Sequence, residues 1–402
     1  MTTGVPLLGR RTVARLRIGE TFLGRAHTEP LGQQDGSPLL HPPSPMHRER
    51  KPGATLAEGL RMSPAHWFYV ESPATVSAAG KERLFEHRPV MLEEVIEIFS
   101  AVPAGVVLDA TVGAGGHAAG LLRAFPHMSV VGIDRDAEAV TAAIAALAPF
   151  GPRATVVRGR FDELGPILDR LGVDGLSGAL FDLGVSSPQF DTPERGFSYR
   201  FDAPLDMRMD RSQVLTAAQV VNDSTEDELA RLFSDHGEAR FSRRIAAAVV
   251  SARPVMTTGR LAEVVSSAVP APARRRGHPA KRIFQALRVA VNSELEILPE
   301  AVDGAIERLV AGGRIVVISY HSGEDRTIKD SLVHSATGGC TCPPGLPCVC
   351  GAVPRVRLLN RGARKASAQE VSANPRAGSA RLRAAEALTA TESLTMAERE
   401  PR

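Results

Sequence analysis

Val106-Val107-Leu108-Asp109-Ala110-Thr111-Val112-Gly113-Ala114-Gly115-Gly116-His117 decides the architecture. A short, mostly β-branched run ends at an acid, three glycines follow, and an apolar-periodic segment around His117–Phe125 comes next. A second run, Val130-Val131-Gly132-Ile133, ends at Asp134, so the unit reads β-α-β. Further runs at Ala154–Val157, Gly178–Leu183 and Arg314–Ser319, separated by helical spacing, extend it into a parallel, doubly wound α/β sheet. Upstream, Met91, Leu92, Val95, Ile96 and Phe99 recur at the spacing of one helix face.

The glycines sit where a strand turns into a helix, a place where positive φ and a missing Cβ let a ligand approach the backbone. Gly113, Gly115 and Ala118 fit the permissive G-x-G-x-x-A dinucleotide pattern, so the turn alone does not separate NAD from S-adenosylmethionine. The acids discriminate better. Asp134 suits the ribose hydroxyls of either cofactor. Asp109 stands before the glycines, where a carboxylate would repel a pyrophosphate and attract a methionine ammonium; a plain turn cap is the alternative. Phe181-Asp182-Leu183-Gly184-Val185-Ser186-Ser187-Pro188-Gln189 closes the fourth strand, and ligands of open sheets lie beyond the carboxyl ends of strands. Asp109, Asp134 and Asp182 are therefore expected in one crevice.

The 402 residues are enough for two or three domains, and 43% apolar with 23% charged residues fits a soluble globular protein. With only 4% aromatics, any contact to nucleic acid must rest on charge and shape rather than on a stacking surface. No stretch approaches the roughly 18 to 20 apolar residues of a membrane helix, and the arginines of Met1–Arg17 lead into no apolar signal core. A cytoplasmic protein without a membrane partner is expected. The net charge of +3 is uneven: residues 1–80 carry +3 and 351–402 carry +5, which leaves −5 for the middle. Attraction to phosphate must then come from local patches.

Residues 1–84 are rich in Pro, Gly, Ser and Arg and read as a flexible extension, with Trp67 in a candidate docking segment, Ala65–Tyr69. The sheet domain is expected at 85–191 and 283–388, interrupted at 192–282 by an inserted helical domain, and 389–402 as a disordered tail. Within the insert Thr225 and Glu228 have capping-box spacing, and Leu229, Leu232 and Phe233 follow on one face. Apolar stripes at Ile245, Val249 and Val250 and at Leu261, Val264, Val265 and Ala268 read as helix-packing cores. Arg240, Arg243, Arg244, Arg274, Arg275, Arg276, Lys281 and Arg282 are candidate phosphate contacts, with a solvated charge run as the alternative for Arg274–Arg276.

All four cysteines lie between Cys340 and Cys350, so no disulfide framework spans the fold. Cys340-Thr341-Cys342 and Cys348-Val349-Cys350 offer the four ligands of a small zinc knuckle around a Pro-Pro-Gly turn. The spacing is tighter than that of C-x-x-C pairs, which favours unliganded thiols. His321, Ser322, Glu324 and Asp325 invite a triad or metal reading, but near-consecutive positions do not converge on one point and no nucleophile elbow is present.

From about residue 85 to 388 the chain resembles the ribosomal RNA small subunit methyltransferase H family. The matching stretches include His87–Val90, Asp109–His117, Asp182–Gln189, Glu194–Ser198, Pro204–Asp210, His236–Glu238, Phe284–Arg288, Asn292–Leu295, His321–Arg326 and Asn374–Arg376. Gly323 and Gly378 depart from the pattern. The resemblance implies a Rossmann-like methyltransferase sheet with an inserted all-helical domain. It also implies N4-methylation of a cytosine in the decoding region of 16S ribosomal RNA, within the small ribosomal subunit. Donor contacts carried over are Gly115, Gly116, His117, Asp134, Phe161, Asp182 and Gln189, beside Asp109 and Gly113 from the reading above. The usual Asp/Asn-Pro-Pro-aromatic loop of amino-methyltransferases is replaced by Asp182-Leu183-Gly184-Val185, so Asp182, Ser186 and Ser187 are the candidate acceptors for the amine. An NAD-dependent oxidoreductase and a non-catalytic small-subunit assembly factor are the rival readings, and a homo-oligomer is compatible with the sequence.

Overall fold

Among the described residues eight strands carry the fold: β1 Val106–Asp109, β2 Ser129–Asp134, β3 Ala154–Arg158, β4 Leu176–Asp182, β5 Leu309–Ser319, β6 Val356–Leu358, β7 Arg364–Lys365 and β8 Arg381–Ala387. The computed structural model describes residues 89–237, 240–275, 277–343 and 349–398. The extension 1–84 with Trp67, and also Arg276, Cys348 and residues 399–402, lie outside the described residues.

The strands form one sheet in the order β3-β2-β1-β4-β5-β8-β6, with β7 on β8. β1 to β5 are parallel neighbours, Val107 lying opposite Val130 on one side and Gly178 on the other. The chain runs outward from β1 to β3, then returns to β4 on the other side of β1. This reversal opens a crevice at the carboxyl ends of β1 and β4. The sheet is not wholly parallel as expected, because β8 runs antiparallel between β5 and β6. Its Arg-Leu-Arg-Ala-Ala-Glu-Ala sequence lacks β-branched residues. What holds it is alternation along Arg381–Ala384: Leu382 and Ala384 are buried, while Arg381 and Arg383 both grip the Asp325 carboxylate at 2.9 and 2.8 Å.

Successive residues of a strand face opposite sides, and each side has its own core. Val107, Val130, Leu180 and Val316 pack with Phe99, Leu121 and Ala143 from helices Leu92–Phe99, Gly116–Ala124 and Ala137–Leu147. Leu108, Val131, Phe181 and Val317 pack with Leu168, Val302 and Ile328 from helices Leu164–Arg170, Glu294–Glu307 and Ser322–Thr337. Each such fully buried aliphatic side chain contributes about 1.5–3 kcal/mol.

Between β4 and β5 the chain builds a third core mainly from helices. Phe233, Ile245, Val249, Leu261, Val265, Ile283 and Leu287 meet there, joined by Leu205 and Met207 of the incoming loop. Thr225 and Glu228 form the reciprocal cap expected at the start of helix Glu226–His236. The boundary at 282 falls inside helix Ala280–Asn292, whose apolar face belongs to this core, so the helical packing unit runs about ten residues further. Asn292 fastens the way out to the way in: its Nδ2 donates to Met207 O at 2.8 Å and its Oδ1 accepts from Met209 N at 2.9 Å. The expected disordered tail is also corrected, since Ala390–Glu398 is helical and opens with a Thr389–Glu392 cap (Thr389 N to Glu392 Oε2 2.9 Å). Among the described residues no helix is long and apolar enough to cross a membrane.

Candidate active site

The glycine turn is built where β1 ends. Gly113 and Gly115 have φ of 52° and 84°, a region costly for residues with a Cβ. Gly116 serves packing instead, because a Cβ there would lie 2.6 Å from the Pro89 ring. The Gly113 N–H donates to Asp134 Oδ2 at 2.9 Å, so the end of β2 holds the turn. Thr111 Oγ1 accepts from Asp182 N at 2.7 Å and ties the turn to the end of β4. The structure thus brings Asp109, Gly113, Asp134 and Asp182 together at three neighbouring strand ends.

The three acids differ in environment. Asp109 is 1% exposed; its Oδ1 accepts from Thr111 N at 3.3 Å and its Oδ2 has no hydrogen-bond partner. Burial pushes its carboxyl up to about 7 against the pull of His117 and the Thr111 N–H, with Asp182 and Asp134 adding to the rise. Burial likewise raises Asp134 to about 6, although the N–H groups of Asp136 and Gly113 oppose it. Asp182 is 24% exposed and faces the crevice, where its Oδ1 accepts from the Tyr320 hydroxyl at 2.7 Å. Burial and then Asp182 hold the Tyr320 phenol protonated, well above its ordinary range.

His117 lies under Asp182. Its Nε2 is 3.0 Å from Val90 O, which can only accept, so Nε2 carries a hydrogen and Nδ1 faces Asp182 Oδ2 at 3.5 Å. Ser186 begins the next turn; its buried Oγ has no hydrogen-bond partner and its Cβ lies 4.0 Å from where a Gly113 Cβ would be. Ser187 is the first residue of helix Ser187–Asp191. Gln189 is fully engaged, accepting from Ser186 N at 3.0 Å and donating to Asp136 Oδ2 at 2.8 Å. Phe161 stands edge-on to Phe181, with ring centroids 6.1 Å apart.

Several supporting residues escaped the sequence reading. Asp136 caps helix Ala137–Leu147 through Glu138 N at 3.0 Å and meets the Arg195 guanidinium at 2.8 Å, with both side chains almost wholly buried (4% and 2% exposed). Arg288 spans Glu294 (2.8 Å) and Glu324 (3.1 Å), and Glu324 accepts from Tyr320 N at 2.8 Å. Although burial opposes it, His321 and Arg288 keep the Glu324 carboxyl low. His321, Glu324 and Asp325 are thereby a helix cap and two ion-pair anchors. Tyr320 was in principle findable, because it follows directly on β5, next to β4. Arg195 carried no signal beyond its place in a matching stretch.

Of the basic residues, Arg240, Arg243, Arg244, Arg274, Arg275, Lys281 and Arg282 are exposed. A Cβ on Gly237 would lie 2.5 Å from Arg282 O, and Gln285 donates to His236 O at 3.2 Å. The segments bearing Arg240–Arg244 and Lys281–Arg282 therefore lie side by side. In the Cys-rich loop the sulfurs of Cys340, Cys342 and Cys350 converge.

The buried protons on Asp109 and Asp134 have a measurable consequence. The folded protein binds them more tightly than the unfolded chain, so their stabilising effect is complete below the ordinary carboxylate range and is lost as pH rises toward 7. Asp109→Asn, which has no charge to bury, is expected to gain Tm relative to the parent as pH goes from 5 to 8. Thermal melts across that range check this; a difference independent of pH would refute it.

A sheet whose strand order reverses at a glycine turn lined by three carboxylates is the scaffold of an S-adenosylmethionine-dependent methyltransferase. Residues 84–388 match the MraW methylase family, and the chain belongs to that family. It is 54% identical over 308 residues to the ribosomal RNA small subunit methyltransferase H of Thermobifida fusca (strain YX), covering 75% of this chain and 93% of that one. The protein of the same name from Symbiobacterium thermophilum is 50% identical over 314 residues, covering 77% and 98%.

Proposed function

We propose that the chain transfers a methyl group to the N4 amine of a cytosine in the decoding region of 16S ribosomal RNA, acting in the cytoplasm on the small ribosomal subunit. The observation that carries this reading is the meeting of Asp109, Asp134 and Asp182 at the ends of β1, β2 and β4 around the Gly113–Gly116 turn. Two buried atoms without partners, Asp109 Oδ2 and Ser186 Oγ, fit a ligand bearing an ammonium and further polar groups. Asp109 would hold the donor's ammonium and Asp134 its ribose hydroxyls. Gly115, Gly116, His117, Phe161 and Gln189 complete the wall, Gln189 by anchoring the Ser186 turn rather than through a free amide.

The donor supplies a methyl group made electrophilic by its sulfonium. The chain's task is to position a poor nucleophile, since the cytosine amine lone pair is delocalised into the ring. Asp182, held by Tyr320 and Thr111, offers a carboxylate to the amine N–H and takes up the proton as the new C–N bond forms. Ser186 and the Ser187 turn frame the same space. The base reaches it by leaving its stack, and the exposed arginines of the helical layer clamp the flanking phosphates.

Replacing Arg243, Arg244 and Lys281 by Ala is expected to weaken binding of small-subunit RNA and lower the salt slope by roughly one per lost phosphate contact. Filter binding at several salt concentrations reads both; an unchanged slope removes these residues from the interface. Mass mapping of methylated cytidines in small-subunit RNA from cells with and without the chain tests the whole reading. A single N4-methyl site should disappear with the gene, and an unchanged map would sink the assignment.

A further inference from the structure

Helix Ser322–Thr337 ends at Gly338, and the chain that leaves there returns at Val353 to the same place. A Cβ on Gly338 would sit 2.4 Å from Val353 N, so the two legs of the loop touch. Arg355 closes the base, its N–H donating to Ser335 O at 2.9 Å and its guanidinium reaching Ser335 Oγ at 3.0 Å and the Asp303 carboxylate. Inside this closed base the sulfurs of Cys340, Cys342 and Cys350 all lie within 4.8 Å of one another.

Apolar burial does not explain that convergence. Val349 is 89% exposed and Val353 is exposed as well, while Cys340 and Cys342 are only half-buried and Cys350 is exposed. Cysteines that pack as small hydrophobes are normally buried, whereas thiolates gathered around one ion need not be. Zinc–sulfur bonds of about 2.3 Å in a tetrahedron put sulfurs about 3.8 Å apart, so a contraction of at most about 1 Å brings these three to three corners of the tetrahedron, the fourth corner being left for a further ligand. Soft sulfur ligands select a thiophilic ion over magnesium, calcium or manganese.

We infer that Cys340, Cys342 and Cys350 bind a structural zinc ion that pins this loop, a site separate from the donor crevice. Each thiol gives its proton to solvent as its sulfur–zinc bond forms, so affinity falls with acidification. The reading goes beyond the expectation of unliganded thiols drawn from the tight C-x-C spacing. Cys348 lies outside the described residues, and the inference does not use it.

Elemental analysis of the full chain, purified from zinc-containing medium without chelators, is expected to give about one zinc per chain. The double variant Cys340→Ser/Cys342→Ser should fall to background with S-adenosylmethionine affinity unchanged. Cobalt exchanged into the parent protein should show a thiolate-to-cobalt charge-transfer band, a readout that needs no variant. Zinc well below half an equivalent in the parent, full retention in the variant, a missing charge-transfer band, or a disulfide between any two of these cysteines would each overturn the inference.

Discussion

Asp182→Asn is expected to lower the rate of methyl transfer by about 10²–10⁴-fold while leaving the far-ultraviolet circular dichroism and the melting transition close to those of the parent. The substitution keeps the side chain's shape and the backbone bond to Thr111 Oγ1 at 2.7 Å. It removes the charge that accepts from Tyr320 at 2.7 Å and faces His117 at 3.5 Å, and with it the proposed acceptor for the amine proton. Asp182 is 24% exposed, so its charge is not sealed in a dry core and its loss is expected to cost the fold little. Single-turnover transfer to small-subunit RNA is the measurement of choice, since it separates chemistry from product release. A variant retaining a tenth or more of the parental rate would take Asp182 out of the proton's path.

The second large effect is on stability. Arg195→Met is expected to cost about 3–5 kcal/mol, because breaking a buried pair from one side strands the remaining charge. Arg195 and Asp136 meet at 2.8 Å, and Arg195 also donates to Arg208 O and Met209 O at 3.0 Å. The stranded Asp136 carboxylate would keep only Gln189 and Glu138 N as partners. Denaturant midpoints measure the loss, and donor affinity should fall with it because Gln189 steadies the Ser186 turn. A shift below about 1 kcal/mol, within the range of exposed pairs, would show that the pair is not buried in solution.

Much of this was legible in the residues, and the failures have physical reasons. The apolar runs that became β1, β2, β4 and β5 and the acids at the ends of β1, β2 and β4 are visible because parallel strands buried on both faces must be largely apolar; β3, at the sheet edge, shows instead through its Thr155-Val156-Val157 run. Strand β8 was missed because its arginines and alanines are held by Asp325 and by alternation, not by β propensity. The Asp136–Arg195 and Arg288–Glu294–Glu324 clusters join residues up to 59 positions apart, a partnership no local spacing announces. The boundary at residue 282 erred because Ile283 and Leu287 face the helical layer and not the sheet. The matching stretches Glu194–Ser198 and Pro204–Asp210 now have concrete reasons in Arg195 and in the Asp206–Arg208 pair at 2.8 Å.

The clasp formed by Asn292 on Met207 and Met209 has an evolutionary implication. Entrance and exit of the helical layer are buttoned by one side chain, beside which Gln213 donates to Val291 O at 3.0 Å and Arg135 to Asn292 O at 2.8 Å. Residues of the layer away from this neck can vary as long as the neck persists. On the proposed function, recognition of RNA and transfer chemistry can thereby evolve at different speeds in one polypeptide.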